Sequence, residues 1–195
     1  MLSQLTISID AINAYAMQVL GYQTFGYMKV FVSEEGEALV EANPRAGFSI
    51  MYPKDLELWK THLGAEGGFK AYLEKGEPVE MADYVTPEDV EMQQKIVQGS
   101  WYGVLNWYKA AILLPPSDAD KNLSAEQRQI EVPTMLVITE KDYAIIPDMQ
   151  IQSTQQAAGD LLQIERLPTG HWPMFEARDE VEKMLEAFGD KIASQ

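Results

Sequence analysis

The 195-residue sequence contains no cysteine, which excludes disulfides, thiolate nucleophiles and thiolate metal sites. Basic residues are few: 15 Lys and Arg stand against 30 Asp and Glu, a formal net charge of −15. Such a surface repels a phosphate backbone or an anionic bilayer, and no basic stripe interrupts it, so neither nucleic acid nor membrane is expected as a partner. Histidine occurs only at His62 and His171, in no spacing with acids that would build a two-histidine metal site, so no metal is expected. No glycine-rich loop follows a strand-like run, which leaves a nucleotide cofactor without support, and no cofactor is expected. A Gly-x-Ser-x-Gly elbow is also lacking. Long apolar runs are missing as well. The stretch 2–20 is broken by Asp10, Asn13 and Gln18 and reads as neither signal peptide nor membrane span. A soluble, cytoplasmic protein is expected.

Hydrophobic residues make up 46% of the chain and no segment is of low complexity, so an ordered globular protein is expected. Two textures meet near residues 114–131. Ser8 and Asp10 predict a helix to Leu20, stopped by Gly21. A second short helix is expected over 34–41, ended by Asn43-Pro44. Pro53 is expected to open a helix that carries Leu56, Trp59, Lys60 and Leu63 to Gly64. Further helices are expected over 69–74, from Thr86-Pro87-Glu88-Asp89 to about Gln98, and over 102–113. Residues 114–131, with Pro115-Pro116, read as a connection. Beyond it the pattern alternates. The run 132–139 reads as a strand buried on both faces, 147–158 as a helix stopped by Gly159, and 161–167 as a second strand. Gly170-His171 reads as a turn and 176–192 as a closing amphipathic helix, with Val181, Met184, Leu185 and Phe188 in phase.

Strand, helix, strand, helix is the unit of a parallel sheet covered by helices, so the class is α/β after residue 131 and all-helical before it. Two parallel strands leave bare hydrogen-bonding edges. The chain therefore reads as the end of something larger, and self-association or a complementing chain at the sheet edge is expected.

Chemistry is suggested by position. Asp142 follows the first strand in Thr139-Glu140-Lys141-Asp142, and His171 follows the second in Pro168-Thr169-Gly170-His171-Trp172. Reactive groups of an open parallel sheet gather beyond the carboxyl ends of its strands. With neighbouring strands about 5 Å apart, such an acid and histidine come within contact. The alternatives are a structural turn histidine and a helix-capping aspartate.

These residues carry a resemblance. Residues 132–142, Val-Pro-Thr-Met-Leu-Val-Ile-Thr-Glu-Lys-Asp, resemble the strand leading to the relay acid of α/β-hydrolases of the epoxide hydrolase kind. Gly170-His171-Trp172, followed by Phe175-Glu176, resembles that family's histidine turn. Leu105-Asn106-Trp107-Tyr108 is similar to its cap-domain tyrosine motif, and Tyr27 to Phe31 with Glu34-Glu35-Gly36 resembles the other tyrosine segment, with Tyr22 as a rival to Tyr27. Val32 and Ser33 depart from that pattern, and its proline is absent.

The resemblance implies a lead-in helix over 1–20, a helical cap over 21–113, the connection 114–131, and the carboxyl-terminal part of an α/β-hydrolase core over 132–195. It implies hydrolysis of small apolar epoxides to diols, with His171 activating water, Asp142 orienting it, and Tyr108 and Tyr27 hydrogen-bonding the epoxide oxygen. Trp107, Trp172 and Tyr22 would line the substrate. The family's nucleophilic aspartate and its His-Gly-x-Pro segment precede the cap, and neither is found in this sequence, so the chain alone is expected to be inert. The alternatives are a non-catalytic protein that binds a small molecule or a partner, and an enzyme similar to haloalkane dehalogenases. The second is disfavoured by the tyrosine pair, because a departing halide needs no proton.

Overall fold

The computed structural model describes residues 8–97, 101–114, 122–124 and 126–194. It is mostly helical, with one parallel sheet of two strands. The chain divides into two compact units, Leu2–Ser117 and Asp118–Gln195.

The first unit opens with α1 (Ile9–Leu20). Ser8 caps it by accepting the Ala11 amide at 3.2 Å, and Gly21 ends it at φ 80°, where a side chain would be strained. Next come α2 (Tyr27–Val32), α3 (Gly36–Ala42) and α4 (Pro44–Met51). Asn43-Pro44 does end a helix, but the same proline occupies the first turn of the next one, where its missing N–H costs nothing. The expected stop is therefore also a start.

The helix expected from Pro53 is not formed. Pro53 is instead buried in an isolated antiparallel bridge with Met81. The Lys54 amide donates to the Glu80 carbonyl and the Ala82 amide to the Tyr52 carbonyl, both at 2.9 Å. This long-range pairing takes the backbone groups a local helix would have used. Helical geometry resumes as one π turn, Trp59–Leu63, in which the Gly64 amide donates to the Trp59 carbonyl at 2.7 Å. Then follow α5 (Gly68–Lys75), α6 (Pro87–Ile96) and α7 (Tyr102–Leu113). Thr86 and Asp89 close a reciprocal capping box on α6, as the sequence predicts. The expected end of that helix at Gln98 lies outside the described residues, as do 115–121 and 125 of the connection.

Phe69, Leu73, Ile50, Val40 and Leu105 are sealed at the centre of this unit. Trp59 joins them and donates its indole N–H to the Ile50 carbonyl at 2.6 Å, which meets the requirement that a buried donor be paired.

The second unit holds β1 (Thr134–Thr139), α8 (Pro147–Ala158), β2 (Leu162–Leu167), a single helical turn α9 (Pro173–Glu176) and α10 (Arg178–Ala193). The strands pair in parallel from Thr134↔Leu162 to Thr139↔Leu167. Among the described residues no third strand joins them.

The expectation that β1 is buried on both faces is corrected: only its last two residues, Ile138 and Thr139, are buried, and Leu167 alone in β2. A sheet face is buried only where another element lies on it, and α8 is the helix that packs on both strands. The apolar stripe of α10 is likewise only half-covered, with Leu185 56% exposed.

The space available to a side chain differs sharply between two glycine positions. A Cβ at Gly64 would lie 2.0 Å from the Gln23 carbonyl oxygen, whereas one at Gly103 in α7 meets nothing within 4 Å. Gly64→Ala should lower the unfolding free energy by about 1–3 kcal/mol through steric overlap. Gly103→Ala should raise it by up to about 1 kcal/mol through helix propensity. Urea titration of the two variants checks both signs.

Candidate functional site

In the second unit the parallel register ends both strands at one level, and two backbone bonds carry the pairing into the loops beyond. The Glu140 amide donates to the Leu167 carbonyl and the Lys141 amide to the Thr169 carbonyl, each at 2.9 Å. Three residues past β1 the chain presents Asp142; four past β2 it presents His171. Their side chains meet, with Nδ1 of His171 2.7 Å from Oδ2 of Asp142.

Asp142 is almost wholly withdrawn from water, its side chain 3% exposed against 38% for His171. Burying a carboxylate is costly unless its oxygens are hydrogen-bonded. Here the Ala144 amide donates to Oδ1 at 2.9 Å and the Thr139 hydroxyl to Oδ2 at 3.3 Å, beside the imidazole. A carboxylate only accepts, so the shared proton sits on Nδ1. Trp172 packs edge-on against the imidazole, ring centres 4.8 Å apart.

The turn itself is held by a residue to which sequence reasoning assigned no role. Glu176 reaches back so that Oε2 accepts the Gly170 amide at 2.6 Å and Oε1 the Trp172 amide at 3.2 Å. A signal was available: Pro173 starts a helical turn, and a turn brings residue 176 back over the amides that precede it.

In the first unit α2 and α7 pack together and bring Tyr27 to Tyr108, ring centres 6.1 Å apart and nearly perpendicular. Phe31 touches both rings and also Phe69. The two phenol side chains share a hydrogen bond. Burial pushes the Tyr108 phenol above its ordinary value, and the bond with Tyr27 partly offsets this. Tyr108 is thus a neutral hydrogen-bond donor near neutral pH.

Of the rival tyrosines, Tyr27 is the one in ring contact with Tyr108; Tyr22 lies beneath the Lys60 ammonium, 5.2 Å from its ring centre. Trp107 is 80% exposed. It is turned about 200° around α7 from the buried Leu105, so it does not join the pair.

Among the described residues no three His, Cys, Asp or Glu side chains cluster so as to hold a metal ion, and no helix is long and apolar enough to cross a membrane. Comparison of the chain with models of known families and with curated proteins finds no match.

Tyr27→Phe removes the group that stabilises the Tyr108 phenolate, so the Tyr108 phenol should titrate at still higher pH. The sign for stability follows from linkage. A folded-state value above the unfolded one favours the fold below the unfolded value, about pH 10, and that contribution is lost as the pH climbs through the folded value. Carbon-13 spectra of ring-labelled tyrosine across the alkaline range read the shift.

Proposed function

We propose that this chain carries the water-activating part of a hydrolase of the α/β-hydrolase kind. More particularly, we propose that its reaction is the hydrolysis of a small apolar epoxide. The class reading is supported by a buried aspartate hydrogen-bonded to a half-exposed histidine, both beyond the carboxyl ends of adjacent parallel strands. The observation that carries the particular reading is the hydrogen-bonded pair Tyr27 and Tyr108.

Opening an epoxide puts charge on an alkoxide, a poor leaving group unless hydrogen bonds meet it as it forms. Neutral phenols provide that. A departing halide needs no proton, so the pair favours an epoxide over a haloalkane.

The sequence of events is then as follows. A carboxylate attacks an epoxide carbon, the C–O bond breaks and an ester forms, while the ring oxygen takes a proton from a phenol. Water next attacks the ester carbonyl and gives its proton to Nε2 of His171. The imidazolium is stabilised through Nδ1 by Asp142. The ester breaks to release the diol and regenerate the carboxylate, and the histidine proton returns to the phenolate through solvent. Epoxide and water are consumed and a vicinal diol is made.

No described residue is placed as the attacking carboxylate; Asp142 is occupied in orienting the histidine. The nucleophile is proposed to come from a complementing segment, and the 195 residues alone are expected not to turn over. The open edges of the two-stranded sheet are where a complementing strand or chain would pair.

The test uses the polypeptide encoded by the whole reading frame that contains these residues, assayed with styrene oxide. Diol formation is expected. His171→Gln should lower steady-state turnover by about 10²–10⁴-fold, with the alkyl-enzyme ester accumulating in intact-protein mass spectra. Tyr108→Phe should slow ester formation itself by about 10²-fold or more. An unaltered rate in both variants, or turnover by the 195 residues alone, would overturn the reading.

A further inference from the structure

The His171 turn contains two carboxylates with different tasks. Asp142 binds the ring. Glu176 touches no part of the ring, yet its two oxygens accept the amides of Gly170 and Trp172, the residues on either side of His171. We propose that Glu176 is the positioning residue of the histidine: by clamping both flanking amides it sets the backbone direction at His171 and so aims Nε2. The proposal rests on the hydrolase reading for its use in catalysis, but not for its geometry.

Three observations carry it. First, the clamp is reciprocal with the turn. The Phe175 and Glu176 amides donate to the Trp172 carbonyl at 2.9 and 3.0 Å, and the Ala177 amide to the Pro173 carbonyl at 2.9 Å. Helix α9 is a single turn whose purpose is met by returning the Glu176 carboxylate to residues 170–172.

Second, among the described residues the backbone pairing of the two loops reaches the start of the turn but not His171 itself. The last ladder-like bond there is Lys141 to the Thr169 carbonyl, which fixes the chain only up to the residue before Gly170. Gly170 is free of Cβ restraint, so without a clamp its backbone dihedrals would vary.

Third, the residue to be aimed is half-exposed while its partner Asp142 is buried and held by Thr139 and Ala144. Asp142 is a fixed anchor. The ring's direction depends on where the backbone delivers its Cα, and a small rotation there is enough to lengthen a 2.7 Å bond. Bonds to a charged acceptor are stronger than those between neutral groups, which suits a carboxylate to this clamp.

Glu176→Gln is the informative variant. Its amide keeps the size of the side chain and one acceptor oxygen, but turns an NH₂ toward the second amide, so one of the two bonds is lost. The readout is the downfield proton resonance of the His171 imidazole Nδ1–H, in the full 195-residue chain. His62, the other histidine, serves as internal control.

Asp142→Asn should abolish the resonance. Glu176→Gln should weaken it and speed its exchange with water by about tenfold, the equivalent of one hydrogen bond to a charged group, while the His62 signals stay in place. In the enzyme of the whole reading frame the same variant should lower kcat several-fold with KM unchanged.

An Nδ1–H resonance unaltered by Glu176→Gln, or a variant that lowers only the melting temperature, would overturn the positioning role. Should the variant fail to fold, hydrogen exchange in the unaltered chain decides. The Gly170 and Trp172 amides should exchange at least about tenfold slower than unprotected amides, and free exchange would refute the clamp. Loss of epoxide turnover in the parent enzyme, with the resonance behaving as expected, would refute the substrate and leave the positioning role standing.

Discussion

The parallel pairing of β1 with β2 is the constraint on which the rest of the second unit depends. Parallel strands need a crossover, here supplied by α8, and the crossover returns the chain so that both strands run out in the same direction. With Thr139 opposite Leu167, the loops that follow leave the sheet side by side. The Glu140 and Lys141 amides then find carbonyls of the neighbouring strand end. An antiparallel pair, or a register shifted by two residues, would put Asp142 and His171 several ångströms apart and leave a buried carboxylate without its imidazole donor.

Burial of Asp142 makes that geometry selective. A carboxylate with a side chain 3% exposed is tolerated because three donors converge on it: the Ala144 amide, the Thr139 hydroxyl and the imidazole. Removing any one of them leaves a charge underserved in a place that water reaches poorly. The half-exposed histidine stands at the boundary of this arrangement, fixed on its Nδ1 side.

The first unit achieves a different kind of placement by packing. Phe31 lies against Tyr27, Tyr108 and Phe69, so the two phenols are set by the same aromatic contacts that join α2 to α7. Edge-to-face geometry suits the ring quadrupoles and leaves both hydroxyls free of the ring stack to share a hydrogen bond. Desolvation keeps Tyr108 protonated, which makes it a donor rather than an anion. Trp107, one residue earlier in the chain, faces elsewhere because a helix turns about 100° per residue.

Signals confined to a few neighbouring residues were legible in the amino-acid sequence: the Ser8 cap, the Gly21 stop, the Thr86–Asp89 capping box, the helix over 102–113, both strands to within two residues, and the loop positions of Asp142 and His171. The sequence could do this because caps, proline turns and apolar periodicity act between residues a turn or two apart. Pro53 escaped it, since a distant segment at residues 80–82 took its neighbours' backbone groups. The exposure of β1 escaped it too, because hydrophobicity states what a strand would bury and not whether anything lies on it. The ring contact between Tyr27 and Tyr108 required the packing of α2 on α7. The hydrogen bonds of Glu176 to the Gly170 and Trp172 amides required three-dimensional folding of a turn whose parts were all visible. Local chemistry was thus determined by the sequence alone, and the partnerships among those residues were decided only by tertiary structure, because a hydrogen bond between positions 29 residues apart depends on strand register rather than on any nearby sequence signal.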